Sequence, residues 1–145
     1  MKTIIHTADI ARPREAVFGT LTTVPALSAW WTTKVTGDAG PGGRLSFTFA
    51  GDFNPVMQVV GFGAPAQLEW ECVDGVEQWS DNTFRFDLAD RDGGTRLRFR
   101  QEYAAELSDD DYGSYNYNYN WGYYLESLRQ YLETGTGRPY PISAA

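Results

Sequence analysis

One cysteine, one histidine and two methionines occur in 145 residues, and 12 basic side chains face 19 acidic ones. Each shortage closes off a class of function. A lone Cys72 cannot form an intrachain disulfide and fits a reducing compartment. One histidine and one cysteine fall short of the several nitrogen and sulfur donors that a transition-metal site needs, so no metal and no cofactor are expected. A nucleophilic pair of Cys72 and His6 would require a strand early in the chain to meet one in its middle, and nothing in the spacing specifies that contact. The net charge of −7 argues against nucleic acid or an anionic membrane as partner, because both call for clustered lysine and arginine. No apolar run approaches the ~20 residues of a membrane-spanning helix. The start, Met1-Lys2-Thr3-Ile4-Ile5-His6, offers no apolar signal core, and cytoplasm is the expected location. Glycines 37, 40, 42 and 43 lack the strand-to-helix setting of a phosphate-binding loop. Neither a long linker nor a repeat interrupts the chain, so residues 1–145 read as a single domain.

Aromatic residues are what the chain has in excess. Five Trp, nine Tyr and eight Phe make up 15% of it, within an otherwise ordinary balance of 42% hydrophobic and 21% charged residues. Each ring buries about 150–250 Å², so this many either fill a core or line a hollow.

The periodicities predict an order of elements. Residues 3–11 read as a strand rich in Ile. Pro13 opens a short helix over Arg14–Leu21, and Pro25 opens a second that reaches Trp30 and Trp31. After the glycine-rich loop 37–43 come five strands. Leu45, Phe47 and Phe49 alternate with polar residues, the face of 56–62 is ambiguous because Val56, Met57, Val59, Val60 and Phe62 are all apolar, and Leu68, Trp70 and Cys72 alternate with Glu69 and Glu71. Phe84, Phe86 and Leu88 follow, then Leu97, Phe99, Gln101 and Tyr103, with hairpin signals at Asp74-Gly75 and Asp92-Gly93-Gly94. A last helix begins near 108 or 114, where Ser108 and Asp109 to Asp111 suit an N-terminus. Its stripe of Tyr117, Trp121, Tyr124, Leu125, Leu128 and Leu132 ends at Gly135. An antiparallel sheet with one apolar face needs a partner layer, and the long helix is the only sizeable one. The fold class is therefore α+β of the helix-grip kind: a curved antiparallel sheet wrapped round a C-terminal helix, with two short helices after the first strand.

Outward-facing positions carry opposite charges on neighbouring strands: Glu69 and Glu71, then Arg85 and Asp87, then Arg96, Arg98 and Arg100. They read as a solvated face held in register by ion pairs, with an arginine patch for an anion as the alternative. Asp81, Asp87, Asp90 and Asp92 lie near turns or on that face and are not read as a catalytic pair.

Several segments, in this order, carry a resemblance. They are Ala11-Arg12-Pro13-Arg14-Glu15-Ala16-Val17-Phe18, Leu27-Ser28-Ala29-Trp30-Trp31, Pro65-Ala66-Gln67-Leu68-Glu69-Trp70, Gly94-Thr95-Arg96-Leu97, and Trp121-Gly122-Tyr123-Tyr124-Leu125-Glu126-Ser127-Leu128 with Tyr131-Leu132-Glu133-Thr134-Gly135. With them the chain resembles the heat-shock protein 90 ATPase activator homologue group of the START/polyketide-cyclase (SRPBCC) superfamily. The resemblance implies the helix-grip fold and, commonly, a cavity for hydrophobic ligands. Members include binders, cyclases and a co-chaperone domain, so function has to come from the site.

Alternation gathers the candidate ligand-binding residues on the concave face: Phe47, Phe49, Trp70, Phe84, Phe86, Phe99, Gln101 and Tyr103 from strands, Tyr117, Trp121 and Tyr124 from the helix, and Trp30 or its neighbour Trp31 capping one end. Gln101 is the polar exception, expected to bond to Tyr103, Tyr117, a water or a ligand, with Asn82 and Ser80 near the rim. Non-catalytic binding of a small hydrophobic or aromatic molecule in an enclosed cavity of a few hundred Å³ is the first expectation. A cyclase- or hydrolase-like enzyme on the same fold is the alternative, as is a small co-chaperone-like protein partnered by a chaperone or by a second copy of itself. No catalytic residue is assigned.

Overall fold

The computed structural model describes residues 3–51, 53–104 and 117–142. The elements run β1 (Thr3–Ile10), α1 (Arg14–Leu21), α2 (Val24–Trp30), β2 (Lys34–Gly37), β3 (Arg44–Thr48), β4 (Val56–Gly63), β5 (Gln67–Asp74), a 3₁₀ turn (Glu77–Trp79), β6 (Thr83–Arg91), β7 (Gly94–Glu102) and α3 (Tyr117–Thr134). The strands form one antiparallel sheet ordered β1-β7-β6-β5-β4-β3-β2. This is the expected helix-grip architecture with one strand more than the periodicity announced. β2 is only Lys-Val-Thr-Gly, with Val35 alone facing inward, too short to show an alternating pattern. Pairing of Val35 with Phe47 makes it a strand.

Along β5, β6 and β7 every second side chain is buried, which sets the register. Phe86 lies between Leu68 and Phe99, and Phe84 between Trp70 and Gln101. Moving any of these strands by one residue would put its rings in water. The β6–β7 hairpin turns through Asp92 and Gly93, both at positive φ, as a two-residue turn of matching twist requires. Asp74-Gly75, by contrast, opens not a tight hairpin but the connection that carries the 3₁₀ turn and Trp79.

α3 lies across the concave face with Trp121, Leu125, Leu128 and Leu132 buried, as the stripe predicted; Tyr117 and Tyr124 lie half-buried at its margin. The candidate start at 108 or 114 falls outside the described residues. Two features let the helix seat closely. Gly122 passes over β1 where a Cβ would come to 3.3 Å from His6 Cε1, and His6 Nε2 donates to the Asn118 carbonyl at 3.1 Å. A glycine inside a helix costs about 1 kcal/mol relative to alanine, and the close approach explains its use. Ser127 is fully buried. Its hydroxyl donates to the Trp30 carbonyl at 2.9 Å and accepts from Arg138 N at 2.6 Å, tying α2 and the tail after α3 to the helix. That tail reaches back over α2, where Tyr140 N donates to Trp31 O at 2.8 Å.

On the convex face Arg85 pairs with Asp87 at 3.0 Å on its own strand, and with Glu69 across the register only at 4.0 Å. The charge match there runs along strands as much as between them. Arg96 instead reaches across from β7 and grips Asp9 of the edge strand β1 through two nitrogens, at 2.8 and 3.0 Å. This hydrogen bond holds the Asp9 carboxyl below its ordinary pKa. A lowered folded-state pKa means that the pair's contribution is complete above the unfolded value near pH 4 and is lost as pH falls through the folded value. Asp9→Asn should accordingly lower the urea midpoint at neutral pH, and the gap from wild type should close below about pH 4. A gap that persisted unchanged into strong acid would show that the pair does not hold β1.

Candidate functional site

The side chain of Trp121 sits at the centre of the concave face. Its ring centroid lies 4.3 Å from Phe99, 5.0 Å from Trp31, 6.0 Å from Phe84 and 6.2 Å from Trp79. Below it Trp31 meets Phe47 at 4.4 Å and Trp70 at 6.2 Å, Trp70 meets Phe86 at 5.1 Å, and Phe86 meets Phe99 at 5.2 Å. The rings touch across the middle. The expected enclosed cavity of a few hundred Å³ is therefore replaced, among the described residues, by a crevice of about 30 Å³ lined by Trp31, Phe53, Trp79, Tyr117, Asn120, Trp121 and Tyr124. That is room for about one water. Trp31 and Trp79 take up the space that the alternation pattern left open.

The polar groups of this interior form a chain. Trp121 Nε1 donates to Gln101 Oε1 at 2.8 Å, Gln101 Nε2 donates to Asn82 Oδ1 at 3.1 Å, and Asn82 Nδ2 donates to the Ser80 carbonyl at 3.3 Å. Gln101 thus points inward, and its partners are a tryptophan and an asparagine rather than Tyr103 or Tyr117. The Asn82 backbone N–H donates to the Trp79 carbonyl at 2.9 Å, so the residue that ends the chain also positions Trp79 across the crevice from Trp121. Two buried donors stand outside it. Among the described residues, the indole nitrogens of Trp70 and Trp79 find no hydrogen-bond partner, at a cost of about 1–3 kcal/mol each relative to a satisfied group. Trp70 is enclosed by Trp31, Phe47 and Phe86. Trp79 forms a wall of the crevice.

Titratable groups are scarce here. Burial pushes the Tyr124 hydroxyl up to about 12, with Tyr123 and Tyr140 adding to the shift, so it stays protonated and can donate but not take a proton at neutral pH. Among the described residues, no carboxylate or imidazole lines the crevice. His6 is on β1 and Cys72 on β5, three strand spacings apart in the sheet order, about 14 Å. The dyad does not form. Burial raises the Cys72 thiol to about 11, and its Sγ donates to the Asp74 carbonyl at 3.4 Å. Among the described residues no three His, Cys, Asp or Glu side chains converge as a metal site. The arrangement can stack flat apolar surface and donate hydrogen bonds.

The residues from 11 to 133 match the model of the family described as Activator of Hsp90 ATPase homolog 1-like protein. The chain belongs to that family. Among solved structures of similar fold, the Aha1 dimer from Colwellia psychrerythraea is 29% identical, with 94% of this chain and 100% of that one covered and a TM-score of 0.83. Protein MLL2253 from Mesorhizobium loti is 19% identical over 91% of this chain and 97% of its own, with a TM-score of 0.77. CalU16 from Micromonospora echinospora is 17% identical over 92% and 77%, with a TM-score of 0.71. The last two likenesses are of fold alone. No curated protein matches the sequence.

Of the twelve candidate residues, Tyr117, Trp121 and Tyr124 line the crevice in this family member. Phe49 stands beside it, 5.3 Å from Trp31 and 6.3 Å from Tyr124. Phe47, Trp70, Phe84, Phe86, Phe99, Gln101 and Tyr103 are buried beneath. Trp30 is turned away: its indole donates to the Thr20 carbonyl at 3.0 Å, and its neighbour Trp31 takes the capping position instead. Consecutive residues at a helix end point about 100° apart, so only one of the pair can face the sheet. Trp79 and Phe53 escaped the alternation argument because neither is on a strand. The available signal was composition: Trp79 stands alone in Glu77-Gln78-Trp79-Ser80-Asp81, and Phe53 in a turn beside Gly51, and a large ring in a polar loop needs somewhere to bury.

Gln101→Leu should strand the Trp121 donor and the Asn82 acceptor and cost about 2–5 kcal/mol in urea unfolding. Adding Trp121→Phe should cost less in that background than in wild type, since the donor is already orphaned. Additive costs would mean that the chain carries no coupling. Cys72 should resist a thiol reagent in the native protein and react at once in denaturing urea.

Proposed function

We propose that this protein binds a small hydrophobic or aromatic molecule between sheet and C-terminal helix and leaves it chemically unchanged. The observation that supports this reading is the lining of the crevice: six aromatic rings and Asn120, with no acid–base group among them. Binding of anything larger than water requires the rim to give. Phe53, Tyr117 and Tyr124 are the half-buried rings of that rim, and Phe53 is the one that gives. Phe53 sits in a turn held by the side chain of Asn54, which donates to Gly51 O and accepts from Phe49 N. A ligand ring takes the position of Phe53 against Trp79 and Trp121. The exchange of one ring for another keeps the interior close-packed.

An enzyme of the cyclase or hydrolase kind would need a proton acceptor beside the bound molecule, and Tyr124 does not serve as one. Self-association is a second reading, supported by the dimeric state of the Colwellia psychrerythraea relative, whose whole length matches 94% of this chain. Sedimentation would show a species of twice the monomer mass, and a monomer at all working concentrations would dismiss it.

Naphthalene at about ten times its dissociation constant should raise Tm by about 3–6 °C. Absence of any rise at saturation would contradict ligand binding. Phe53→Ala should speed naphthalene uptake, measured by stopped-flow tryptophan quenching, because the rim ring no longer has to leave.

A further inference from the structure

An unsatisfied donor inside an apolar site is a recognition element as soon as a ligand brings an acceptor to it. Trp79 is 2% exposed, its indole N–H has no partner among the described residues, and its ring forms a wall of the crevice. Among the described residues, none of the rings packed on it brings an acceptor within hydrogen-bond reach of the N–H. Phe53 lies edge to face at 4.9 Å and Phe84 at 4.9 Å, and neither has a polar atom. The Trp121 indole is itself a donor, already held by Gln101. The Tyr117 hydroxyl is engaged with Gln78. Beside this buried, unpartnered donor, the indole N–H of Trp121 is already held by Gln101.

We infer that the ligand belongs to a definite class: a neutral, flat aromatic molecule bearing one hydrogen-bond acceptor, a ring nitrogen or carbonyl oxygen, which the Trp79 indole N–H receives. The inference rests on the binding reading above and narrows it. A carboxylate is excluded from this class because no cationic side chain among the described residues lines the crevice and the chain carries a net charge of −7. An organic cation would gain from the ring faces, but it would meet the positive end of the indole N–H with no carboxylate among the described residues of the lining to balance it. A plain hydrocarbon fits the walls and leaves the donor orphaned. A molecule that replaces Phe53 and supplies an acceptor restores the packing and satisfies the N–H in one step.

Naphthalene and quinoline test this, since they share size and shape and differ by one acceptor nitrogen. Binding of each at neutral pH is measured by calorimetry on the full chain and on Trp79→Phe, which keeps a ring and removes the donor. Wild type should bind quinoline about tenfold more tightly than naphthalene, and Trp79→Phe should bind the two alike. Equal affinities in wild type, or a preference that survives in Trp79→Phe, would overturn the inference and leave the binding proposal standing. Failure of wild type to bind either would overturn both. Should Trp79→Phe not fold, the indole N–H resonance of Trp79 in ¹⁵N-labelled wild type decides. Quinoline should move it downfield and naphthalene should not, and equal shifts with both would count against the assignment.

Discussion

The hydrogen bond from Trp121 to Gln101 is the constraint on which the rest of this architecture depends. It joins the first turns of α3 to the last residues of β7 through two buried side chains, and so fixes how the helix lies in the sheet. From that one seat the Trp121 ring reaches Phe99, Trp31, Phe84 and Trp79. The next bond, from Gln101 to Asn82, extends the constraint to the loop that holds Trp79. A helix placed by apolar packing alone could slide by small amounts at little cost. One placed by a buried polar chain cannot, because every displacement leaves a donor or acceptor unmet.

This constraint also explains why the interior is closed. A helix-grip sheet leaves a hollow only if the side chains from the two layers stop short of one another. Here tryptophans come from α3, from the end of α2, from β5 and from the β5–β6 loop, and they meet. What persists is a narrow crevice with an unusually aromatic wall and an unmet donor. Small domains do not accumulate buried, unsatisfied groups without reason, and a guest able to satisfy that donor gives one.

The sequence made some of this readable and hid the rest for physical reasons. Strand alternation placed Phe47, Trp70, Phe86 and Phe99 on the concave face because period two is imposed by the pleat. The α3 stripe placed Trp121 at the centre for the equivalent reason at helical period. Gln101 stood out as the polar exception, but not its partners, since pairing depends on register and loop geometry. β2 is too short to carry a pattern. Trp79 and Phe53 belong to loops, where no period constrains direction. The choice between Trp30 and Trp31 turned on where α2 ends, which is the least predictable property of a helix. Membership of the activator-homologue family was legible in dispersed short segments, while the closure of the cavity was not.

The central claim is that this closed aromatic interior admits a flat guest at the crevice beside Trp121, and nowhere else. Intermolecular NOEs from quinoline to the assigned protein test it most directly. The account predicts cross-peaks to the rings of Trp31, Trp79 and Trp121, with none to the arginines of the convex face. Cross-peaks confined to exposed side chains, or their complete absence at saturating quinoline, would contradict it.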